Sequence, residues 1–248
     1  MKLAQHLLII IFFLCLWQMI IVLGKLPDFI LPSPLQVFVT FKNNWQLILT
    51  HTIPTAQETL LGLVFGVITG FVAGCLIANS KLLARIFLPA VLVSQVMPVF
   101  AIAPLLVIWF GYGLQSKIIA AMLMIFFPVT SSLYDGLRRT PANWLELANS
   151  LQAGKLRTFW YIRLPAALPS LASGIRLATV AAPIGAIVGE WVGASKGLGY
   201  LMLNANARMQ IDMMFAALCM IIVLSLLLYC LIDYFLKKMV WWGGSDYV

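Results

Sequence analysis

The chain has 248 residues, of which 62% are apolar and 10% charged, against about 45–50% and about 25% in an ordinary soluble domain. That balance excludes a soluble globular enzyme, a disordered chain and a disulfide-rich secreted module. A polytopic membrane protein remains, with room for roughly six to eight spans at about 20 apolar residues each; the formal charge of +8 takes its meaning from where it falls.

The first apolar run covers 6–24, from His6 to Gly24, with Lys2 before it and Lys25 after it. Trp17, Gln18 and Met19 stand where a signal peptide would need small residues, so an uncleaved span is expected. A more polar stretch follows over 25–57, and Pro32 and Pro34 within it break a helix. It reads as an external loop with at most one amphipathic helix. The second span covers about 59–79, with Thr55 and Glu58 at capping-box spacing ahead of it. The third covers about 86–110 and contains Pro89, Pro98 and Pro104. Then come a fourth over about 118–133, a hydrophilic stretch over 134–163 and a fifth span over about 168–188. A second polar stretch covers 190–212, and a sixth span covers about 213–236. The expected fold is all-α, one transmembrane domain over 1–248.

Lysine and arginine placement orients these spans. With the amino terminus in the cytoplasm, the inner side receives Lys2, Lys81, Arg85, Arg138, Arg139, Lys155, Arg157, Arg163, Lys237 and Lys238. The outer side receives Lys25, Lys42, Lys117, Lys196 and Arg208, while Arg176 falls inside the fifth span. Both termini are therefore expected in the cytoplasm. The positive charge is a topology signal, and nucleic acid is not expected as a partner.

Gly62, Gly66, Gly70 and Gly74 recur every fourth residue in the second span, as do Gly185, Gly189 and Gly193 around the end of the fifth. Each array forms one smooth helix face for close approach of another backbone, serving either static packing or a moving contact. Charged and polar groups in or beside spans are candidates for a pathway or gate: Gln95, Trp109, Arg176, Glu190, Trp191, Asn206 and Arg208. Arg176 either snorkels to inner headgroups or lines the path. Arg176 and Glu190 are fourteen residues apart, about 21 Å along a helix, and cannot pair. Glu190 next to Trp191 lines an external gate or has a structural partner, with Arg208 the nearest candidate.

Other chemistry is poorly supported. Gly111-Tyr112-Gly113 is read as a turn, since no short pore helix precedes it. The order of residues 193–199 is not that of a phosphate loop, so no ATP hydrolysis is expected. Cys15, Cys75, Cys219 and Cys230 lie in apolar runs without metal-ligand spacing. No metal site or catalytic cluster is expected, and His51 stands alone at a span edge.

The hydrophilic stretch is the informative one. Six of the 24 charged side chains (8 acidic, 16 basic) lie between Arg138 and Arg163, so this segment faces a partner rather than the bilayer interior. Pro141 opens a short helix carrying Trp144 and Leu147, and a basic, aromatic second segment over 155–161 is ended by Pro165. Anionic lipid and a protein partner are both compatible with such a face.

Glu146-Leu147-Ala148 followed by Ile162-Arg163-Leu164-Pro165 resembles the signature loop of permease subunits of bacterial ATP-binding-cassette importers. That pattern is E-A-A, three residues, G, nine residues, I-x-L-P. Leu147 departs from it at the first alanine and Gln152 at the glycine, so the bend is expected to shift to Gly154. The resemblance continues through Leu31-Pro32-Ser33-Pro34, Ala103-Pro104-Leu105-Leu106, Phe126-Phe127-Pro128 and Gly197-Leu198-Gly199. These match the branch serving nitrate, sulfonates, taurine and thiamine-pyrimidine precursors.

The resemblance implies a type I importer permease of the bacterial inner membrane, working as a homodimer on two separate ATPase subunits. Those subunits would bind the ATP and magnesium, and this chain would hold no cofactor. A periplasmic or lipid-anchored binding protein would deliver a small solute. The coupling loop, about 134–165, would act through Glu146, Leu147, Ala148, Leu151, Gly154, Ile162, Leu164 and Pro165. The competing class is an ion-coupled carrier or a channel.

Overall fold

The computed structural model describes the backbone of residues 2–242 and their side chains except those of residues 2–7 and 10. Lys2 and His6, used above to orient and bound the first span, lie outside the described side chains. Eleven α-helices follow in order among the described residues: α1 (Lys2–Gly24), α2 (Pro34–Asn43), α3 (Trp45–Asn79), α4 (Lys81–Val96), α5 (Val99–Phe110), α6 (Leu114–Arg138), α7 (Ala142–Ser150), α8 (Lys155–Thr158), α9 (Leu164–Gly193), α10 (Leu198–Ala207) and α11 (Ile211–Met239). One π-helical turn, Phe159–Arg163, joins α8 to α9.

Four continuous helical stretches are long and apolar enough to cross a membrane: Trp45–Asn79, Leu114–Arg138, Lys155–Gly193 and Ile211–Met239. The α4–α5 pair makes a fifth when counted as one span, bent by 102°. These five stand at the second to sixth places expected, while α1, at the first, has a described apolar part, Ile11–Gly24, that is shorter than a span needs.

Several expectations are corrected. The third span is not one interrupted helix but two, separated at Met97 and Pro98, where Pro98 opens α5. Pro54, Pro89, Pro104, Pro128, Pro169 and Pro183 all stay inside helices. A helix in lipid keeps its form around a proline when neighbouring groups re-satisfy the freed carbonyl. The polar stretch over 25–57 is not an external loop throughout. Ser33 accepts from the Gln36 N–H at 3.2 Å and Gln36 Oε1 accepts from the Ser33 N–H at 2.8 Å, a capping box that starts α2 at Pro34. The second span then starts at Trp45, so Thr55 and Glu58 lie within α3 and do not cap its start.

The centre of the bundle is α6, packed between α3 and α9. Gly62, Gly66, Gly70 and Gly74 of α3 face Ala121, Ile125, Val129 and Leu133 of α6, all four of which are fully buried. A Cβ on Gly62 would stand 2.5 Å from that of Ala121. On the other side Gly185 meets the Ala121 backbone and Gly189 that of Lys117, while Gly193 meets Val107 and Tyr112. Both arrays therefore pack within one chain. Lipid tails are as apolar as the side chains they would replace, so close contact and dispersion carry this association. A second buried cluster gathers Val37, Ile48, Leu198 and Leu201 against Ala216, Ala217 and Met220 of α11.

Candidate functional site

The segment expected to be a coupling loop occupies one end of the bundle. On α7, Ala148 is buried and anchors the helix, while Glu146, Trp144, Leu147 and Leu151 are exposed. Leu147 is 60% exposed and Leu151 72%, an apolar surface that the described residues leave open. A cavity of about 850 Å³ lies between this helix and the start of α9, lined by Trp144, Leu147, Tyr161, Ile162, Pro165 and Trp242 among others. The Trp242 indole N–H donates to the Pro165 carbonyl at 3.4 Å. Leu164 opens α9 and packs on the central core.

Two details of this loop differ from expectation. Pro165 ends nothing: Lys155–Gly193 is one continuous helical stretch, and a π-helical turn over Phe159–Arg163, in which the Leu164 N–H donates to the Phe159 carbonyl, directly precedes the proline that has no amide to donate. The chain also bends at 152 rather than 154. Gln152 has φ 51°, its N–H donates to the Asn149 carbonyl at 2.9 Å, and the Ala153 N–H donates to the Ala148 carbonyl at 2.9 Å. These two bonds close α7 by a Schellman motif, which needs a left-handed residue at that position. Gly154 is extended, with φ −61° and ψ 152°. Gln152→Gly is therefore expected to stabilise the loop by about 1 kcal/mol, since a side chain strains the left-handed conformation. Slower proteolysis between 139 and 163 in detergent would register it, and faster cleavage would contradict it.

The pathway candidates are not gathered in one place. Gln95 lines a cavity between α4, α5, α6 and α9. Trp109 is 66% exposed on α5, outside that cavity. Arg176 does not snorkel: its Nε lies 2.7 Å from Asp233 Oδ1 of α11, and Lys237 Nζ lies 3.1 Å from Oδ2. Trp191 is half-exposed in a smaller cavity of about 380 Å³ with Tyr112, Glu190 and Tyr200. Asn206 and Arg208 are exposed at the end of α10.

Glu190 is not partnered by Arg208. It is buried, 1% exposed, at the end of the bundle away from α7. Its Oε1 accepts from the Thr55 hydroxyl at 2.5 Å and its Oε2 from the Gly199 N–H at 2.5 Å. The two preceding amides are held as well: Leu198 N–H donates to Thr55 Oγ1 at 2.8 Å, and Gly197 N–H to His51 Nδ1 at 3.1 Å. His51 stacks on Tyr200, with ring centroids 5.9 Å apart. Three successive amides opening α10 thus meet an acceptor set from α3 and α9, with a carboxylate at the positive end of the helix. Lys117, counted above among outer-side charges, is itself buried and pairs with Glu58 at 3.6 Å. Thr55, Glu58, Lys117 and His51 were not read as members of one site; the signal for Glu58 was a carboxylate falling inside an apolar helix.

The fold and this loop define a class: a membrane-spanning helical subunit that presents an amphipathic helix pair at one end. Residues 62–241 match the family described as the binding-protein-dependent transport system inner membrane component, and the chain belongs to that family. It is 50% identical over 240 residues to a probable ABC transporter permease protein of Haemophilus influenzae, covering 97% of this chain and 98% of that one. Over 173 residues, 69% of each chain, it is 38% identical to the formylaminopyrimidine transport permease protein ThiX of Halalkalibacterium halodurans. The inward-facing MetNI methionine ABC transporter shares the fold at a TM-score of 0.69 and 20% identity, over 78% of this chain and 96% of that one. The chain is thus a multi-pass inner-membrane ABC permease subunit.

Proposed function

We propose that two copies of this chain line one pathway, with α7 of each seated on a separate ATPase subunit that holds ATP and magnesium. Both termini lie in the cytoplasm, by the placement of lysine and arginine. An external binding protein delivers a small solute, within the range of thiamine-pyrimidine precursors, sulfonates and nitrate-like anions. The carrying observation is α7 itself: Glu146, Leu147 and Leu151 stand exposed on a helix whose buried Ala148 fixes it to the bundle. Closure of the ATPase subunits would move this helix, and through the continuous α8–α9 stretch would move the spans. ATP then changes the relative stability of two global states. A self-sufficient carrier has no use for such a face.

Reversing one exposed charge separates docking from folding. Glu146→Arg is expected to insert and fold as the native chain does, since exposed substitutions usually change stability by no more than about 0.5 kcal/mol. In reconstituted vesicles it is expected to lose ATP-driven uptake by roughly tenfold or more, the equivalent of about 1.4 kcal/mol in docking. Normal uptake by this variant would contradict the docking role of α7.

A further inference from the structure

Among the described residues three charged side chains are buried: Glu58 of α3, Lys117 of α6 and Glu190 of α9. They form one group. Lys117 Nζ stands 3.6 Å from Glu58 Oε1, and Glu190 faces both of them. Two acids against one base leave one negative charge unbalanced when all three are ionised. The other cations expected at this end, Lys25, Lys42, Lys196 and Arg208, are exposed. His51 takes the Gly197 N–H at its Nδ1 and faces Lys196, so it is turned to the segment before α10.

An unbalanced charge taken out of water is costly, and a buried carboxyl avoids the cost by keeping its proton. The hydrogen bonds indicate which acid keeps it. Glu190 accepts from the Thr55 hydroxyl on one oxygen and from the Gly199 N–H on the other, at the amide end of α10. Its charge is supported on both sides. Glu58 Oε2 is buried and no group donates to it. The neighbouring Thr59 hydroxyl is buried without a partner too, so it does not serve that oxygen. A bare carboxylate oxygen would be left unsatisfied there, whereas a carboxylic acid is a donor. The acceptor that faces it is Glu190.

We infer that Glu58 and Glu190 form a proton-binding site, which holds one proton at neutral pH on Glu58 and shares it with Glu190. Lys117 then balances the group, and the proton adds a link between α3 and the α9–α10 corner beside those of Thr55 and His51.

The test follows equilibrium unfolding of the full chain in detergent between about pH 6 and pH 8, for the native chain, Glu58→Gln and Glu190→Gln. An unfolded glutamate has released its proton over this range. The folded native chain therefore binds one proton more than the unfolded one, and this site alone raises the unfolding constant about tenfold per pH unit. Glutamine binds no proton, and its amide N–H donates where the acid O–H does. Glu58→Gln is expected to unfold within about 2 °C of the native chain at neutral pH and to lack the tenfold slope. Glu190→Gln is expected to lack the slope as well, since Glu58 then ionises against Lys117, and to unfold about 4–8 °C lower. An infrared difference spectrum, native minus Glu58→Gln, is expected to show a carboxylic-acid carbonyl band at neutral pH. Equal slopes in the native and Glu58→Gln chains, absence of that band, or a Glu58→Gln chain that fails to fold would overturn the site. Stability kept by Glu190→Gln and lost by Glu58→Gln would overturn the seat on Glu58.

Discussion

Glu190→Ala is expected to cost about 2–6 kcal/mol, at about 1–3 kcal/mol for each of two buried donors left without an acceptor. The Gly199 N–H and the Thr55 hydroxyl lose their acceptor, and each orphaned buried group carries its own desolvation cost. Lys117, which also faces Glu190, keeps only Glu58. The damage should be local before it is global, since α10 is joined to the bundle here through the Thr55, His51 and Glu190 contacts. The expected result is a lower unfolding temperature in detergent, together with new protease cleavage between 194 and 199. Glu190→Gln keeps the shape and one acceptor, and is expected to cost about 1–3 kcal/mol. Equal stability of the alanine variant and the native chain would show that the network does not hold α10.

Gly185→Val is the second change with a large expected effect. A Cβ at Gly185 would stand 2.6 Å from Ala121 Cα and 3.2 Å from the Ala120 carbonyl, so it meets backbone rather than a side chain that could turn away. Relief requires α6 and α9 to separate along their shared face. Overpacking of a well-filled core costs about 1–3 kcal/mol, and a backbone clash lies at or above the top of that range. The variant is expected to leave the membrane fraction aggregated or degraded. Gly154→Ala serves as its control, since nothing lies within 4 Å of the added Cβ. It is expected to stay within about 0.5 kcal/mol of the native chain. Equal yields of folded protein from both variants would contradict the packing role of the glycine face.

The family was legible because the pattern of the 134–165 loop is linear: Glu146, position 152 and Ile162 keep a spacing that survives the change of residue at 152. Residue type pointed to Gly154 for the bend, yet the backbone bends at 152. The hydrogen bonds that close α7 fix which residue follows the helix end, and glutamine accepts the strain. The apolar runs also showed where the spans lie. They did not show which proline breaks a helix, because Pro98 and Pro104 look alike in sequence and differ only in what surrounds them. The Glu190 network was hidden for a different reason. Glu58 looked like half of a cap and Lys117 like an outer-loop charge, each a sound local reading. Their meeting depends on contacts between α3, α6 and α9 that no neighbouring residue announces.

The proposed role of α7, as the place where this chain meets a separate ATP-driven subunit, is open to direct measurement. Cysteine placed at Leu147, exposed on α7, carries a short crosslinker into the complete detergent-extracted importer. A crosslink to the ATPase subunit is expected, with a yield that changes when ATP is added, and its loss is expected on Glu146→Arg. A chain that purifies without any ATPase, forms no crosslink from position 147 and transports solute without ATP would contradict it.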